Sequence, residues 1–202
     1  MIIIDDFVKN ERLLNDIRKD DNFFGPNGDF HWWGGWFKDG DENEIHGSPE
    51  ANTLKKQLIE EIWRWNSPWD FPRYQPLYLS GVEYWTGVYG PDKPNKNLGN
   101  HYDKDELHFK RTGEVVKPLM GTVYYPKEMD IDGGYLEVFT DGPDSPPERI
   151  KAVYNRLIIF EAGEYVHTVT PVTRGTRYAI AINLWNEPPV GVYEKAFTIE
   201  TN

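Results

Sequence analysis

The chain contains no cysteine, which excludes disulfides and thiolate zinc sites together. Histidine is also scarce, five residues in 202, so any imidazole cluster must be drawn from a small supply. Basic residues are outnumbered, 22 Lys and Arg against 33 Asp and Glu, for a formal charge of −11. That balance argues against a nucleic-acid partner, because phosphate contacts need a basic face, and against an anionic membrane for the same reason. No long hydrophobic run appears. The opening MIIIDDFVKNERLL sets two aspartates directly after its apolar triplet, the pattern of neither a signal peptide nor a membrane span. No internal repeat or low-complexity segment is visible. The expectation is a soluble, cytoplasmic protein, the missing cysteines suiting a reducing compartment. The oligomeric state is left open.

What the chain does hold is aromatic: eight Trp, twelve Tyr and ten Phe, 15% of the residues. Such a composition suits β structure and sites that grip ligands by shape. The length suits one domain with a real core. Its first part, residues 1–76, reads as helical and aromatic. Asn10 can cap a helix carrying Leu13, Leu14 and Ile17. ANTLKKQLIEEIWRWN repeats the pattern, with Leu54, Leu58, Ile59, Ile62 and Trp63 on one face and lysines and glutamates opposite. Between the two, HWWGGWFKDGDENEIHGSPE mixes glycines, acids and a proline, and predicts an irregular loop. Residues 77–185 then change to short strands, LYLSGVEYW, LMGTVYY, GGYLEVF, RIKAV, RLIIF, HTVTPV and RYAIAINLW, parted by turn clusters such as GPDKPNKNLGN and DGPDSPPE. Strands without intervening helix patterns imply an antiparallel sandwich or barrel. The expected fold is mainly β: a jelly-roll core, 77–185, buttressed by two or more N-terminal α-helices, with a C-terminal extension at 186–202.

Two histidines fall in NHYDKDELHF, His101 and His108, with Asp103 two residues after the first. Residues i and i+2 of a strand share a face. His101 and Asp103 can therefore converge on one ion while Tyr102 points away. Imidazole with carboxylate suits a borderline divalent metal, and two imidazoles with one carboxylate suit non-haem Fe(II). Charged residues without strand alternation separate His108 from His101, which favours the remote His167, on the strand YVHTVTPV, as third ligand. In RYAIAINLW one face carries Tyr178, Ile180, Ile182 and Leu184, and the other Arg177, Ala179, Ala181 and Asn183. If the second face lies inside, the alanines leave space and Arg177 is a buried cation needing an anion. That anion is either a ligand carboxylate gripped by the guanidinium fork or an Asp or Glu of the protein.

HYD, then GGYLEVF, then RLIIFEAGEYVHTVTPVTRGTRYAIAINLW resembles the prolyl 4-hydroxylase-like branch of the Fe(II)/2-oxoglutarate oxygenases. That branch uses His-x-Asp, a distal His, and an Arg or Lys nine or ten positions on; here Arg177 follows His167 by ten. The opening IIIDDFV is similar as well. The resemblance implies a double-stranded β-helix with His101, Asp103 and His167 as iron ligands and Arg177 as the cation holding the distal carboxylate of 2-oxoglutarate. Tyr125, in GTVYYPKE, matches a tyrosine that in relatives bonds the same carboxylate, and is otherwise a core aromatic. Tyr89, in TGVYGPDKP, matches another tyrosine on the cosubstrate side, although the turn before His101 is longer here. Fe(II), 2-oxoglutarate and O2 follow as cofactor and cosubstrates, with ascorbate as an accessory reductant. The implied activity is hydroxylation of an unactivated C–H bond, with a prolyl residue of a peptide as target. The alternatives are a free amino acid or other small molecule as substrate, or a cupin-like binding module without turnover. Asp103 favours hydroxylation within this group, since radical halogenases carry a small residue at that position.

The run FHWWGGWF is the candidate for a substrate-facing lid through Trp33 and Trp36, aromatic contact with a polar handle beside glycines that let it bend. The competing reading packs these tryptophans between helices and sheet.

Overall fold

A strand with bulky apolar side chains on one face and small or polar ones on the other demands different neighbours on its two sides, and the architecture supplies both. The structure is a computed structural model that describes residues 1–25, 30–34, 43–44, 53–63, 80–93 and 97–190. In chain order the first elements are β1 (Ile2–Ile4), α1 (Glu11–Lys19), β2 (Phe30–Gly34), β3 (Asn43–Glu44), α2 (Thr53–Trp63) and β4 (Gly81–Tyr89). Then come β5 (Leu98–His101), α3 (Glu106–Thr112), β6 (Met120–Tyr124), β7 (Asp132–Gly133) and β8 (Leu136–Phe139). The chain continues through β9 (Glu148–Ile150), β10 (Leu157–Phe160), β11 (Val166–Val169), β12 (Val172–Arg174) and β13 (Arg177–Trp185). A seven-stranded sheet runs β1-β10-β6-β13-β4-β2-β3, a four-stranded sheet runs β5-β11-β8-β9, and β12 pairs with β7. Every pairing is antiparallel. This is the expected jelly roll with helices.

The central strands of the larger sheet, β10, β6 and β13, pack on both faces. Ile180, Ile182 and Leu184 of β13 join Tyr124 of β6 and Leu157 and Ile159 of β10 against the helices. α1 contributes Leu13, Leu14 and Ile17, and α2 contributes Leu58, Ile59 and Ile62. Each such side chain adds roughly 1.5–3 kcal/mol by leaving water. The Asn10 side chain caps α1 as the sequence predicts, accepting from the Leu13 amide at 3.1 Å. The other face meets the smaller sheet through a second core, in which Val123, Ile158 and Ala179 pack with Leu136, Val138 and Val169. Between the sheets, towards β5 and the ends of β4 and β13, a cavity remains, and Arg177 and Ala179 line it.

Four details depart from the sequence reading. The opening isoleucines form β1, an edge strand paired with β10 through Ile2↔Ile159; three residues carry too little periodicity to announce a strand. The start of the expected loop, residues 31–34, belongs to β2, hydrogen-bonded along β4 with Trp33 opposite Val82. Its aromatic residues favour strands, and the edge of β4 offers a partner that the nearby glycines obscured. Lys55 and Lys56 are buried, 2% and 7% exposed, not on a solvent face, and the Lys55 ammonium lies over the Phe23 ring. α3 has no buried residue and so no apolar stripe to betray it; Asp105 caps it by accepting from the amides of Leu107 and His108. Among the described residues no helix is long and apolar enough to cross a membrane.

Candidate metal centre

β5 and β11 are neighbours whose register sets His101 directly opposite His167. The two rings stand 4.1 Å apart between centroids. Asp103 follows β5 by two residues, its amide held by the Ala162 carbonyl at 2.9 Å. One ligating atom from each of His101, Asp103 and His167 lies within 4.8 Å of the others. The imidazoles are oriented for it. Nδ1 of His101 meets the Gly99 carbonyl at 2.7 Å and Nδ1 of His167 meets the Tyr165 carbonyl at 3.0 Å. A carbonyl only accepts, so both Nδ1 atoms carry the hydrogen and both Nε2 lone pairs are left for a metal. Those Nε2 atoms stand 3.5 and 3.6 Å from Oδ1 of Asp103. The Phe160 ring meets His167 edge-on at 5.1 Å.

Electrostatics follow from the same geometry. Burial is the largest influence on Asp103 and would raise its pKa, but bonds from His101 and Asn183 and the charge of His167 together hold it below the ordinary value. For His101, burial is outweighed by the bond to Asp103 and by the Gly99 carbonyl, and its pKa rises. For His167 burial prevails over the attraction of Asp103, and its pKa falls. Two imidazoles that present Nε2 and an ionised carboxylate between them make a donor set that a divalent cation fits.

Arg177 stands elsewhere in the same cavity, 2% exposed. Its Nε donates to the Gly134 carbonyl and its Nη2 to the Tyr125 hydroxyl, both at 3.0 Å. The guanidinium also lies 5.0 Å from the Tyr125 ring and 5.6 Å from that of Tyr89, which faces it across the β4–β13 ladder. Burial raises the Tyr89 pKa against the pull of Arg177. Gly134 has φ +66°, and a Cβ there would press on Val172 and on Cδ of Arg177; its missing side chain lets the carbonyl reach the guanidinium. No carboxylate among the described residues forms an ion pair with Arg177, so of the two anions left open by the sequence the internal one is not found there. Arg174, three residues earlier, is exposed and paired with Asp130 and Asp132.

The structure thus brings His101, Asp103, His167, Arg177 and Tyr89 around one cavity, with the Tyr125 hydroxyl bonded to the arginine. His108 is elsewhere, on α3 with its Nε2 3.4 Å from Glu114. Trp33 is placed by its backbone on β2, and Trp36 lies outside the described residues. The residue that sequence reasoning left without a role is Asn183. Its Nδ2 donates to Oδ2 of Asp103 at 3.0 Å; the alternation of β13 put it on the cavity face, but nothing local revealed its partner. Outside the donors a wider cavity of about 480 Å³ opens, with Trp85, Tyr89, Tyr102 and Lys104 on its walls.

Two facing antiparallel sheets with two imidazoles and a carboxylate in their mouth define a jelly roll with a candidate metal centre. The chain matches the profile of the 2OG-Fe(II) oxygenase superfamily over residues 85–185, and it belongs to that superfamily. Among solved structures it is similar to IDO from Bacillus thuringiensis, with 14% identity, TM-score 0.57, and 92% of this chain and 93% of that one covered. It is similar also to a truncated viral collagen prolyl hydroxylase from Paramecium bursaria Chlorella virus-1, at 14% identity and TM-score 0.54, covering 93% of this chain and 90% of that one. Against a prolyl-4-hydroxylase from Pseudomonas putida the identity is 22% and the TM-score 0.44, over 65% of this chain; the chain spans 61% of that protein's length. These likenesses concern the fold. No curated protein matches the chain.

Proposed function

We propose that the protein is an Fe(II)- and 2-oxoglutarate-dependent hydroxylase whose iron ligands are His101, Asp103 and His167. The observation that carries this is the pairing of that donor set with a buried guanidinium that meets no carboxylate among the described residues, both in one cavity. A three-residue donor set leaves coordination positions for a chelating cosubstrate and dioxygen, which a closed structural site would not. Bound iron with 2-oxoglutarate and O2 supplies the oxidising power: one oxygen atom enters a substrate C–H bond, the other enters succinate, and CO2 leaves.

The chain's own residues hold and exclude. Arg177, steadied by Gly134 and Tyr125, grips the distal carboxylate of 2-oxoglutarate, and the Tyr125 hydroxyl, already an acceptor from Arg177, keeps its own hydrogen to donate there. Tyr89 closes the other side of the guanidinium. Ala179 and Ala181 provide room for a five-carbon diacid, and Leu136, Val169 and Phe160 keep water from its stem. The tautomers fixed at Gly99 and Tyr165 hold both Nε2 atoms ready for the metal without a rearrangement.

For the substrate, a prolyl residue in a peptide is the reading that the sequence resemblance supports, entering through the wide, partly aromatic outer cavity, whose volume falls in the range of ligand sites. A free amino acid or another small metabolite fits the same opening. Trp33 and Trp36 are proposed on the substrate side, and ascorbate as an aid to sustained turnover.

The test is incubation with Fe(II), 2-oxoglutarate and ascorbate against panels of peptides and amino acids, followed by mass spectrometry. The expected result is a gain of one oxygen in one class of substrate, matched by succinate. Metal binding with neither coupled nor uncoupled succinate would make the protein a binding module instead.

A further inference from the structure

Asn183 shares the cavity face of β13 with Arg177, Ala179 and Ala181, and it is 2% exposed. Its amide nitrogen donates to Oδ2 of Asp103 at 3.0 Å. The other carboxylate oxygen, Oδ1, is the one that stands 3.5 and 3.6 Å from the two imidazole Nε2 atoms. An ionised carboxylate offers no hydrogen, so only the NH2 end of the amide can face it, and the orientation of Asn183 is fixed by chemistry.

The amide is also held from behind. Asn183 is the ladder partner of Gly121 on β6. A Cβ at Gly121 would come 3.0 Å from Oδ1 of Asn183 and press on Ala162. The bare glycine therefore makes the slot in which the amide lies. A side chain at that position would push the amide off its line to Asp103.

We infer that Asn183 is a positioning residue that occupies one oxygen of Asp103 and thereby presents the other, Oδ1, alone to the metal. This rests on the reading of His101, Asp103 and His167 as the metal ligands. A carboxylate free to rotate can offer both oxygens and fill a position that the chelating cosubstrate needs. Tying Oδ2 to an amide on the neighbouring sheet removes that freedom without adding a charge. The bond also crosses from the larger sheet to the segment following β5, so the β13 backbone sets the position of the carboxylate. Partners of metal ligands of this kind commonly carry 10–100-fold in metal affinity.

The experiment measures Mn(II) affinity of the metal-free protein by calorimetry and records the visible spectrum of the Co(II) form. The chains compared are wild type, Asp103→Ala, Asn183→Leu and Asn183→Ala. Leucine keeps the volume and removes the donor; alanine removes both. With melting temperatures near wild type, both Asn183 variants are expected to bind Mn(II) about 10–100-fold more weakly and to shift the Co(II) bands, because the carboxylate changes its mode of coordination. Affinity within about twofold of wild type in a folded Asn183→Leu, with unchanged bands, overturns the inference while Asp103→Ala still abolishes binding. Failure of both Asn183 variants to fold would make the amide a packing group and overturn it equally. If Asp103→Ala binds Mn(II) like wild type, the ligand reading itself falls and this inference with it.

Discussion

Arg177 and Tyr125 meet between the two sheets, the guanidinium Nη2 donating to the phenol oxygen at 3.0 Å. The tyrosine thus holds the arginine in place but brings no negative charge. Removing one member of a buried ion pair typically costs about 3–5 kcal/mol, or roughly two to three and a half powers of ten in affinity. Arg177→Met is therefore expected to weaken 2-oxoglutarate binding at least about a hundredfold while leaving Mn(II) affinity nearly unchanged. Arg177→Lys should fall between, keeping the charge but losing the fork. Arg174→Met should leave cosubstrate affinity alone, since its partners are the exposed Asp130 and Asp132. Calorimetric titration of 2-oxoglutarate into the Mn(II) protein decides the matter, and a silent Arg177→Met would refute the assignment.

The proposed metal ligands give a second expectation. His101→Ala, Asp103→Ala and His167→Ala should each abolish tight Mn(II) binding at one site per chain. His108→Ala should not, because His108 lies on α3 beside Glu114. Loss of binding on replacing His108 would sink the ligand set.

A third concerns stability. Asn155, at φ +57°, accepts from the Val8 amide at 2.9 Å and from the Tyr124 hydroxyl at 2.6 Å, and donates to the Val8 carbonyl at 3.0 Å. Alanine would strand three buried polar groups at a backbone angle it resists. Asn155→Ala should lose about 3 kcal/mol or more, lowering the melting temperature by roughly 6–12 °C for a chain of this size. A change under about 1 kcal/mol would show that water replaces the amide.

The pH dependence of stability offers a fourth. Asp5, just after β1, meets Arg156 in a two-pronged bond at 2.6 and 2.9 Å, and the Arg156 bond holds its pKa below the ordinary value of 3.8. A carboxyl with a depressed folded pKa stabilises the fold above its unfolded pKa, and that stability is lost as the pH falls through the folded value. Both groups are near solvent, so the effect is at most about 1 kcal/mol. Asp5→Asn should be slightly less stable than wild type at neutral pH and equal to it near pH 2. Chemical denaturation at both pH values measures it, and a difference that persists in acid would point to packing.

Much of this was legible in the sequence because β-strand alternation is a local code. The alternation of Tyr178, Ile180, Ile182 and Leu184 with Arg177, Ala179, Ala181 and Asn183 divided β13 into a bulky apolar face and one with space beside an arginine, and the structure sets the second on the cavity. The His-x-Asp step at the end of β5 and the ten-residue interval from His167 to Arg177 were equally local. What stayed hidden was pairing. That Asn183 reaches Asp103, that the opening isoleucines add an edge to the sheet, and that Phe30–Gly34 lies along β4 all depend on partners distant in sequence. The burial of Lys55 and Lys56 was missed because helical periodicity ranks residues by type, and long lysine stems can be covered by neighbours.

The placing of His167 opposite His101 has a consequence for biosynthesis. The strand that completes the donor set, β11, emerges from the ribosome well after β5. It must also pair with both β5 and β8 before its imidazole is aimed. Distant strand pairings of this kind form slowly, since loop closure precedes any contact that rewards it. A nascent chain stopped between Asp103 and β11 therefore carries His101 and Asp103, two of the three proposed donors, and lacks His167. On the proposed ligand set, the third donor is in place only once β11 has paired with β5 and β8.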